Sequence, residues 1–179
     1  MQRRWAVGCL GTLDGMGSTD AREEALALAA QARTVARAPG ETPSRQLLRT
    51  ISGGRWGHLP TGWNAIRLDA LWQDTPSSVR PGWRERAANI AGDVAFAVDY
   101  TVCARCGLGR VEQSYTMEEH QRCGLATAGL EALRYENPGL SWHTLGGHFR
   151  ESQPFWAAVG AGALGSYQQR DSCPRVPGG

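Results

Sequence analysis

A strand that passes directly into a helix is the sequence feature that most constrains this fold. Side chains alternate with a period of two over residues 111–117, and this alternation predicts an extended strand. Apolar residues then recur at spacings of three and four, which predicts a helix whose apolar stripe is Ala126, Gly129, Leu130 and Leu133. The period changes within a short turn at residues 121–126, so we expect the helix to begin at Gly124.

The same alternation predicts which residues of the strand share a face. One face is expected to carry Val111, Gln113, Tyr115 and Met117. The other face is expected to carry Glu112, Ser114 and Thr116. Glu112 and Tyr115 would therefore lie on opposite sides of the strand.

The start of the predicted helix is a suitable place for an anion. The first turn of a helix has unpaired backbone N–H groups and carries the positive end of the helix dipole, so a phosphate is stabilised there. Gly124 has no Cβ and Ala126 has only a methyl group, so a ligand can approach the backbone closely. The turn is therefore a candidate phosphate-binding loop.

The spacing Gln121-x-x-Gly124-x-Ala126 resembles the Q/R-x-x-G-x-G/A signature of the Gcn5-related N-acetyltransferases. In that family the loop holds the pyrophosphate of acetyl-coenzyme A. The elements predicted to follow the helix also resemble the order found in the family: a strand at 140–145, a helix at 152–160 and an extended piece around Tyr167. The resemblance covers the chain from Val94 to Cys173, which is less than half of it.

This resemblance implies an α+β fold and a domain organisation. The fold would have a mixed, mostly antiparallel central sheet flanked by helices, as in acyl-coenzyme A N-acyltransferases. Residues 61–175 would form this domain, and residues 1–60 would be a helical extension that packs on it. Residues 176–179 would be a flexible tail.

The resemblance also implies which residues contact acetyl-coenzyme A. In the family the strand before the loop splays from its neighbour, and its free backbone groups pair with the pantetheine arm. The residues beside the arm would be Ser114, Tyr115 and Thr116. The phosphates would lie on the loop formed by Gln121, Arg122, Cys123, Gly124, Leu125 and Ala126.

The catalytic groups follow from the same comparison. Glu112 lies where several members of the family have a general base. Many members also have a tyrosine on the last helix that protonates the leaving thiolate, but Trp156 occupies that position here. Tyr115 or Tyr167 is therefore the candidate acid, unless the thiolate leaves unassisted.

Less regular patterns predict the elements outside this region. Residues 1–18 are rich in glycine and are expected to be a flexible leader. The other predicted elements are a helix at 19–37, a helix at 43–51, a strand at 65–71, a loop at 73–80, a helix at 81–90 and a strand at 94–102.

Cys103 and Cys106 form a Cys-x-x-Cys pair followed by glycine, which is half of a zinc site. Cys9, Cys123, Cys173 and the histidines show no ligand spacing among themselves. We therefore interpret the segment as a hairpin turn without metal. A small zinc protein built on Cys103 and Cys106 is the alternative.

Composition limits the class of partner. The formal net charge is +2, which favours neither nucleic acid nor a membrane surface as a partner. The five cysteines form an odd set typical of a reducing cytoplasm. All 19 basic residues are Arg, which is typical of a bacterial genome rich in G and C.

We therefore expect a cytoplasmic N-acetyltransferase that moves an acetyl group from acetyl-coenzyme A to a primary amine by direct attack. The acceptor would be a small molecule or a peptide, and a homodimer is compatible with the sequence. The alternative is a non-catalytic module of the same fold that binds an acyl-coenzyme A or a protein partner.

Overall fold

A seven-stranded mixed sheet with four α-helices forms the fold. The computed structural model describes residues 17–40, 43–53, 55–56, 66–77, 80, 82–170 and 173. Its helices are α1 (Gly17–Ala30), α2 (Pro43–Ile51), α3 (Leu125–Glu136) and α4 (Gln153–Gly160). Its strands are β1 (Ala36–Arg37), β2 (Trp72–Pro76), β3 (Arg84–Ile90), β4 (Asp93–Cys103), β5 (Leu108–Thr116), β6 (Ser141–Thr144) and β7 (Gln168–Gln169).

The strands follow one another across the sheet in chain order. Strands β2 to β5 form an antiparallel meander, whereas β1, β6 and β7 each run parallel to the strand before or after them. Helix α3 makes the crossover between the parallel pair β5 and β6. The α+β class with a mixed sheet flanked by helices is therefore confirmed.

Helices α1 and α3 pack together on one face of the sheet, and the main core lies beneath them. Leu130 and Leu133 of α3 are fully buried there, as the predicted apolar stripe requires. Gly129 lies against the sheet so closely that an added Cβ would be 2.6 Å from Cε1 of Phe96. From β2, the indole Nε1 of Trp72 donates a hydrogen bond to the carbonyl of Leu28 in α1, at 2.7 Å.

Residues 17–40 contribute to this core. Ala25, Leu28 and Ala32 are buried in it, and β1 pairs with β2. The helix predicted at 19–37 is too long, because α1 ends at Ala30 and residues 36–37 form a strand instead. Residues 1–16 of the leader predicted at 1–18, and the predicted tail at 176–179, lie outside the described residues, whereas residues 17–18 begin α1.

The sequence predictions between residues 65 and 90 are wrong. The described residues 66–71 of the strand predicted at 65–71 form no strand. Strand β2 occupies residues 73–76, which are half of the predicted loop at 73–80, and β3 replaces the predicted helix at 81–90. The reason is that the buried residues of these strands are largely polar, so the apolar alternation of a core strand is absent. The polar buried residues are Gln73, Asp74, Thr75, Glu85, Arg86 and Asn89.

Ion pairs satisfy the charges buried in this part of the sheet. Arg86 is fully buried, and its Nη2 lies 2.8 Å from Oδ2 of Asp74 and 2.7 Å from Oε2 of Glu136 at the end of α3. Arg84 also binds Asp74, and Arg37 binds Glu136. These pairs fix the C-terminal end of α3 to β2 and β3.

Tyr100 completes this network. Its hydroxyl donates to Oδ2 of Asp74 at 2.5 Å, and burial raises the pKa of Tyr100 to about 12, so the phenol keeps its proton. Burial alone would raise the pKa of Asp74, but the Tyr100 hydroxyl and the guanidinium of Arg86 lower it below its ordinary value.

Among the described residues, we find no helix with both the length and the apolar character needed to cross a bilayer.

Asp74→Asn is expected to destabilise the fold strongly, because it leaves the buried Arg86 with one carboxylate fewer. Breaking a buried pair in this way costs about 3–5 kcal/mol. Since the folded-state pKa of Asp74 is lowered, its stabilisation is present above the ordinary carboxyl pKa and is lost as the pH falls. Urea unfolding at neutral and acidic pH measures both effects.

The matched control is Asp93→Asn, which changes an exposed carboxylate at the start of β4 and should leave the unfolding midpoint nearly unchanged. Equal losses in the two variants would contradict the assignment of Asp74 to a stabilising network.

Candidate functional site

Strands β5 and β6 are paired only over the first residues of β5, and we call this arrangement the fork and the last pair, Val111–Thr144, its closed end. They pair from Leu108–Ser141 to Val111–Thr144, where β6 ends. Strand β5 continues through residues 112–116, and no strand in the described part of the chain pairs with it on that side. This side of β5 is therefore a strand edge beyond Val111, and a ligand with amide groups can pair with such an edge.

A β-bulge lies where the fork opens. On β4, Ala97 and Asp99 have one residue between them, whereas their partners Tyr115 and Glu112 on β5 have two. An extra residue of this kind bends its strand and increases the local twist. The bulge thus lies next to the point where the pairing of β5 with β6 ends.

The bulge also overturns the predicted faces of β5. Directly paired residues share a face of the sheet, so Glu112 lies on the face of Asp99 and Tyr115 lies on the face of Ala97. Asp99 and Ala97 are two residues apart on β4 and share one face. The prediction that Glu112 and Tyr115 lie on opposite faces is therefore wrong, because simple alternation does not count the extra residue.

The predicted phosphate loop connects the end of β5 to α3. Arg122 and Gly124 adopt left-handed φ angles of 60° and 83°. The side chains of Cys123 and Leu125 are buried and anchor the loop, whereas Arg122 and Gly124 are exposed. A left-handed conformation at a residue such as Arg122 is strained, and such strain is concentrated at functional sites.

The backbone amides of this loop are available. Gln121 N–H donates to the carbonyl of Glu118 at 3.2 Å, and Ala128 N–H donates to that of Gly124 at 2.9 Å. Between these two, the amides of residues 122–127 make no hydrogen bond within the described residues. The loop is tied to β5 by Nε2 of Gln121, which donates to the carbonyl of Thr116 at 3.2 Å.

Two carboxylates and an arginine lie at the closed end of the fork. Glu112 Oε1 accepts the amide N–H of Leu145 and that of Gly146, the latter at 2.9 Å, so it bridges the fork. Arg80 lies between the carboxylates, with Nη2 3.8 Å from Oε2 of Glu112 and Nε 3.8 Å from Oδ2 of Asp99. Glu112 is partly exposed, whereas Asp99 is fully buried.

The pKa of Asp99 is raised above its ordinary value. Burial is the main cause and the nearby charge of Glu112 adds to it, while Ser77 and Arg80 act in the opposite direction. The fold therefore favours the protonated form of the Asp99 carboxyl more than water does.

Sequence reasoning did not identify Asp99 or Arg80 as site residues. The available signal for Asp99 was an acidic residue inside an otherwise apolar strand, at the position that pairs with Glu112. Arg80 gave no signal, because it lies in an irregular segment and reaches the site only in the folded chain.

Tyr167 is the predicted residue that the structure places elsewhere. It is fully buried between Trp142 and Trp156, and Arg134 Nη1 donates to its hydroxyl at 2.9 Å. Arg134 is ten residues beyond Gly124, so α3 separates the two by about 15 Å. Burial raises the pKa of Tyr167, which opposes its ionisation.

The predicted residues on β5 lie along the fork. Ser114, Tyr115 and Thr116 are all partly exposed. The hydroxyl of Tyr115 lies 3.2 Å from Sδ of Met117. The structure thus brings Glu112, Tyr115 and the loop to one edge of β5 and adds Asp99 and Arg80 to them.

Two cavities bounded by described residues lie near the other end of α3. One, of about 430 Å³, is lined by residues that include Arg37, Arg84, Tyr100 and Glu136. The other, of about 200 Å³, is lined by residues that include Arg134, Trp142 and Leu164. Neither lining includes residues 112–126.

A scan against models of protein families found no match to this chain, and searches of curated proteins and of solved structures also found none.

Asp99→Asn is expected to stabilise the protein at neutral pH. Because folding raises the pKa of Asp99, the folded state favours the protonated carboxyl, and that contribution is lost as the pH rises through the raised pKa. An amide removes the cost of the buried charge. Thermal unfolding should therefore show a higher midpoint than wild type at neutral pH and a smaller difference at acidic pH.

Asp69→Asn is the control, since Asp69 is exposed and its removal should not shift the midpoint. A lower midpoint for Asp99→Asn at neutral pH would mean that the ionised carboxylate stabilises the fold.

Proposed function

We propose that this protein is an N-acetyltransferase that transfers the acetyl group of acetyl-coenzyme A to a primary amine. One observation carries the proposal: beyond Val111 no described strand pairs with β5 on the side of β6, and β5 leads directly into a loop whose backbone amides at residues 122–127 have no hydrogen-bond partner among the described residues. A ligand that carries amide groups at one end and phosphates at the other matches this order. Acetyl-coenzyme A is such a ligand, and the loop sequence resembles that of the Gcn5-related enzymes.

In this proposal the pyrophosphate binds the amides of residues 122–127 at the start of α3. The dipole of α3 and the exposed guanidinium of Arg122 both favour the negative charge. The pantetheine arm then runs along residues 112–116, where its amide groups pair with the strand edge as an added strand would. The thioester lies at the closed end of the fork, beside Glu112.

The reaction is a direct attack of the amine on the thioester carbonyl. A C–N bond forms as the C–S bond breaks, and the amine loses a proton to the Asp99–Glu112 pair, directly or through a water molecule. We assign the role of general base to Glu112, because Asp99 has no exposed surface for a substrate. Asp99 is then a positioning residue that holds Arg80 beside Glu112.

The group that protonates the thiolate is Tyr115 in this proposal. Tyr115 shares a face of β5 with Glu112, whereas Tyr167 is buried against Arg134. Trp156, which replaces the tyrosine of the resemblance, packs on Tyr167 and His148 and has no acidic proton to give at neutral pH.

The first test is binding of acetyl-coenzyme A measured by isothermal titration calorimetry. Gly124→Glu should abolish the binding seen with wild type, because it adds a side chain and a negative charge where the pyrophosphate lies. The matched control is Gly139→Glu at the other end of α3. Gly139 is also exposed, also has a positive φ, 78°, and would also place a Cβ in open space.

Binding that survives Gly124→Glu, or that is lost equally in Gly139→Glu, would show that the loop is not the phosphate site. No binding by wild type at high micromolar ligand would remove the proposal.

The second test addresses the base. Glu112→Gln keeps a carbonyl oxygen that can accept hydrogen bonds from the amides of Leu145 and Gly146. The contact between β5 and the segment after β6 should therefore be kept. Loss of the base should lower kcat by about 10²–10⁴-fold with little change in the KM for acetyl-coenzyme A. Free thiol release with a panel of amines measures the rate, and Glu119→Gln, at an exposed site, is the control.

A non-catalytic module that binds acyl-coenzyme A is the second candidate. The burial of Tyr167 and the presence of Trp156 favour it, because both remove a thiolate acid from the fork. Tight binding of acetyl-coenzyme A without thiol release for any amine in the panel would favour this module over the enzyme.

A further inference from the structure

Three cysteines from distant parts of the chain meet at one end of the sheet. Cys103 ends β4, Cys106 ends the following 3-10 turn and Cys173 comes after β7. The Sγ atom of Cys173 lies 3.2 Å from that of Cys106 and 3.8 Å from that of Cys103. All three Sγ atoms lie within 4.8 Å of one another.

We propose that Cys103, Cys106 and Cys173 bind a zinc ion. In tetrahedral zinc sites the Zn–S bonds are about 2.3 Å long, which places neighbouring sulfur atoms about 3.8 Å apart. The separation of Cys173 and Cys103 equals this value, that of Cys173 and Cys106 is shorter at 3.2 Å, and the third is within 4.8 Å. Thiolates are soft ligands that select zinc over magnesium or calcium, so the class of metal follows from the donor atoms.

The backbone of the 3-10 turn suits this role. Gly107 follows Cys106 with a φ of 63°, and its N–H donates to the carbonyl of Ala104 at 3.2 Å. This tight turn presents the sulfur atoms of Cys103 and Cys106 on the same side. Three thiolates fill three tetrahedral positions, and water or one further side chain completes the fourth.

The proposed zinc site differs from the sequence interpretation of this segment, which was a hairpin turn without metal. The hairpin turn between β4 and β5 is confirmed, but the expectation of no metal rested on the lack of ligand spacing for Cys173. Spacing could not reveal that ligand, because Cys173 is 67 residues from Cys106 and only the fold brings them together.

The position of the cluster indicates a structural role. It lies at the start of β5, and the phosphate loop follows the other end of this nine-residue strand, about 30 Å away. A metal here joins the β4–β5 hairpin to the segment after β7. The inference therefore stands apart from the proposed acetyl transfer and fails or succeeds separately from it.

Metal analysis of the full chain is the direct test. The protein is purified without a histidine tag or chelator under reducing conditions, and zinc is measured by plasma mass spectrometry. We expect one zinc per chain, and near-complete loss of zinc in Cys103→Ser, Cys106→Ser and Cys173→Ser. Cys123→Ser is the matched control and should keep its zinc, because Sγ of Cys123 contacts the carbonyl of Gln121 outside the cluster.

A second measurement covers variants that fail to fold. Wild-type protein is stripped of metal and titrated with Co²⁺, which should give the sulfur-to-cobalt charge-transfer bands and the strong visible bands of a tetrahedral thiolate site. Removal of zinc should also lower the midpoint of thermal unfolding. Wild-type protein with reduced thiols that binds neither zinc nor Co²⁺ would overturn the proposal, as would equal loss of zinc in Cys123→Ser.

Discussion

The position of α3 against the sheet is the constraint on which the rest of this structure depends. Gly129 allows the close approach of the helix, since any Cβ there would collide with the buried ring of Phe96. At the other end, Glu136 is held by the fully buried Arg86. Because α3 begins with the amides of the loop, the same contacts that bury its apolar stripe also set where those amides point.

Two fully buried aspartates, Asp74 and Asp99, have pKa values that the fold shifts in opposite directions. Asp74 receives hydrogen bonds from Tyr100 and two arginines, and its pKa is lowered in spite of burial. Oδ2 of Asp99 lies 3.8 Å from Nε of Arg80, and the pKa of Asp99 is raised. The fold therefore favours the charged form of Asp74, whereas it favours the protonated form of Asp99. Similar burial therefore gives opposite chemistry, because the partners differ.

Local patterns were sufficient to predict that β4, β5, α3 and α4 exist and where they lie, although the bulge changes which residues of β5 share a face. They failed at β2 and β3, where buried polar residues are paired across the sheet and against α3. A single sequence does not show such pairing, because the partners are distant in the chain.

The site was predictable in part for the same reason. The strand and the loop follow from one continuous segment and were identified from it, and the open strand edge was implied by the resemblance. Asp99, Arg80 and Cys173 reach their partners only through the folded chain. Tyr167 was proposed from its place in the chain, but its burial against Arg134 is a property of the packed core.

The bulge in β5 also determines how the pairing of β4 with β5 would respond to the loss of one residue. Residues 113 and 114 together occupy one step opposite Val98. A chain shorter by one residue at this point would keep every remaining partner on β4, and Glu112 and Tyr115 would still share a face. Such a deletion would remove the bulge, and with it the extra local twist at the point where the pairing of β5 with β6 ends.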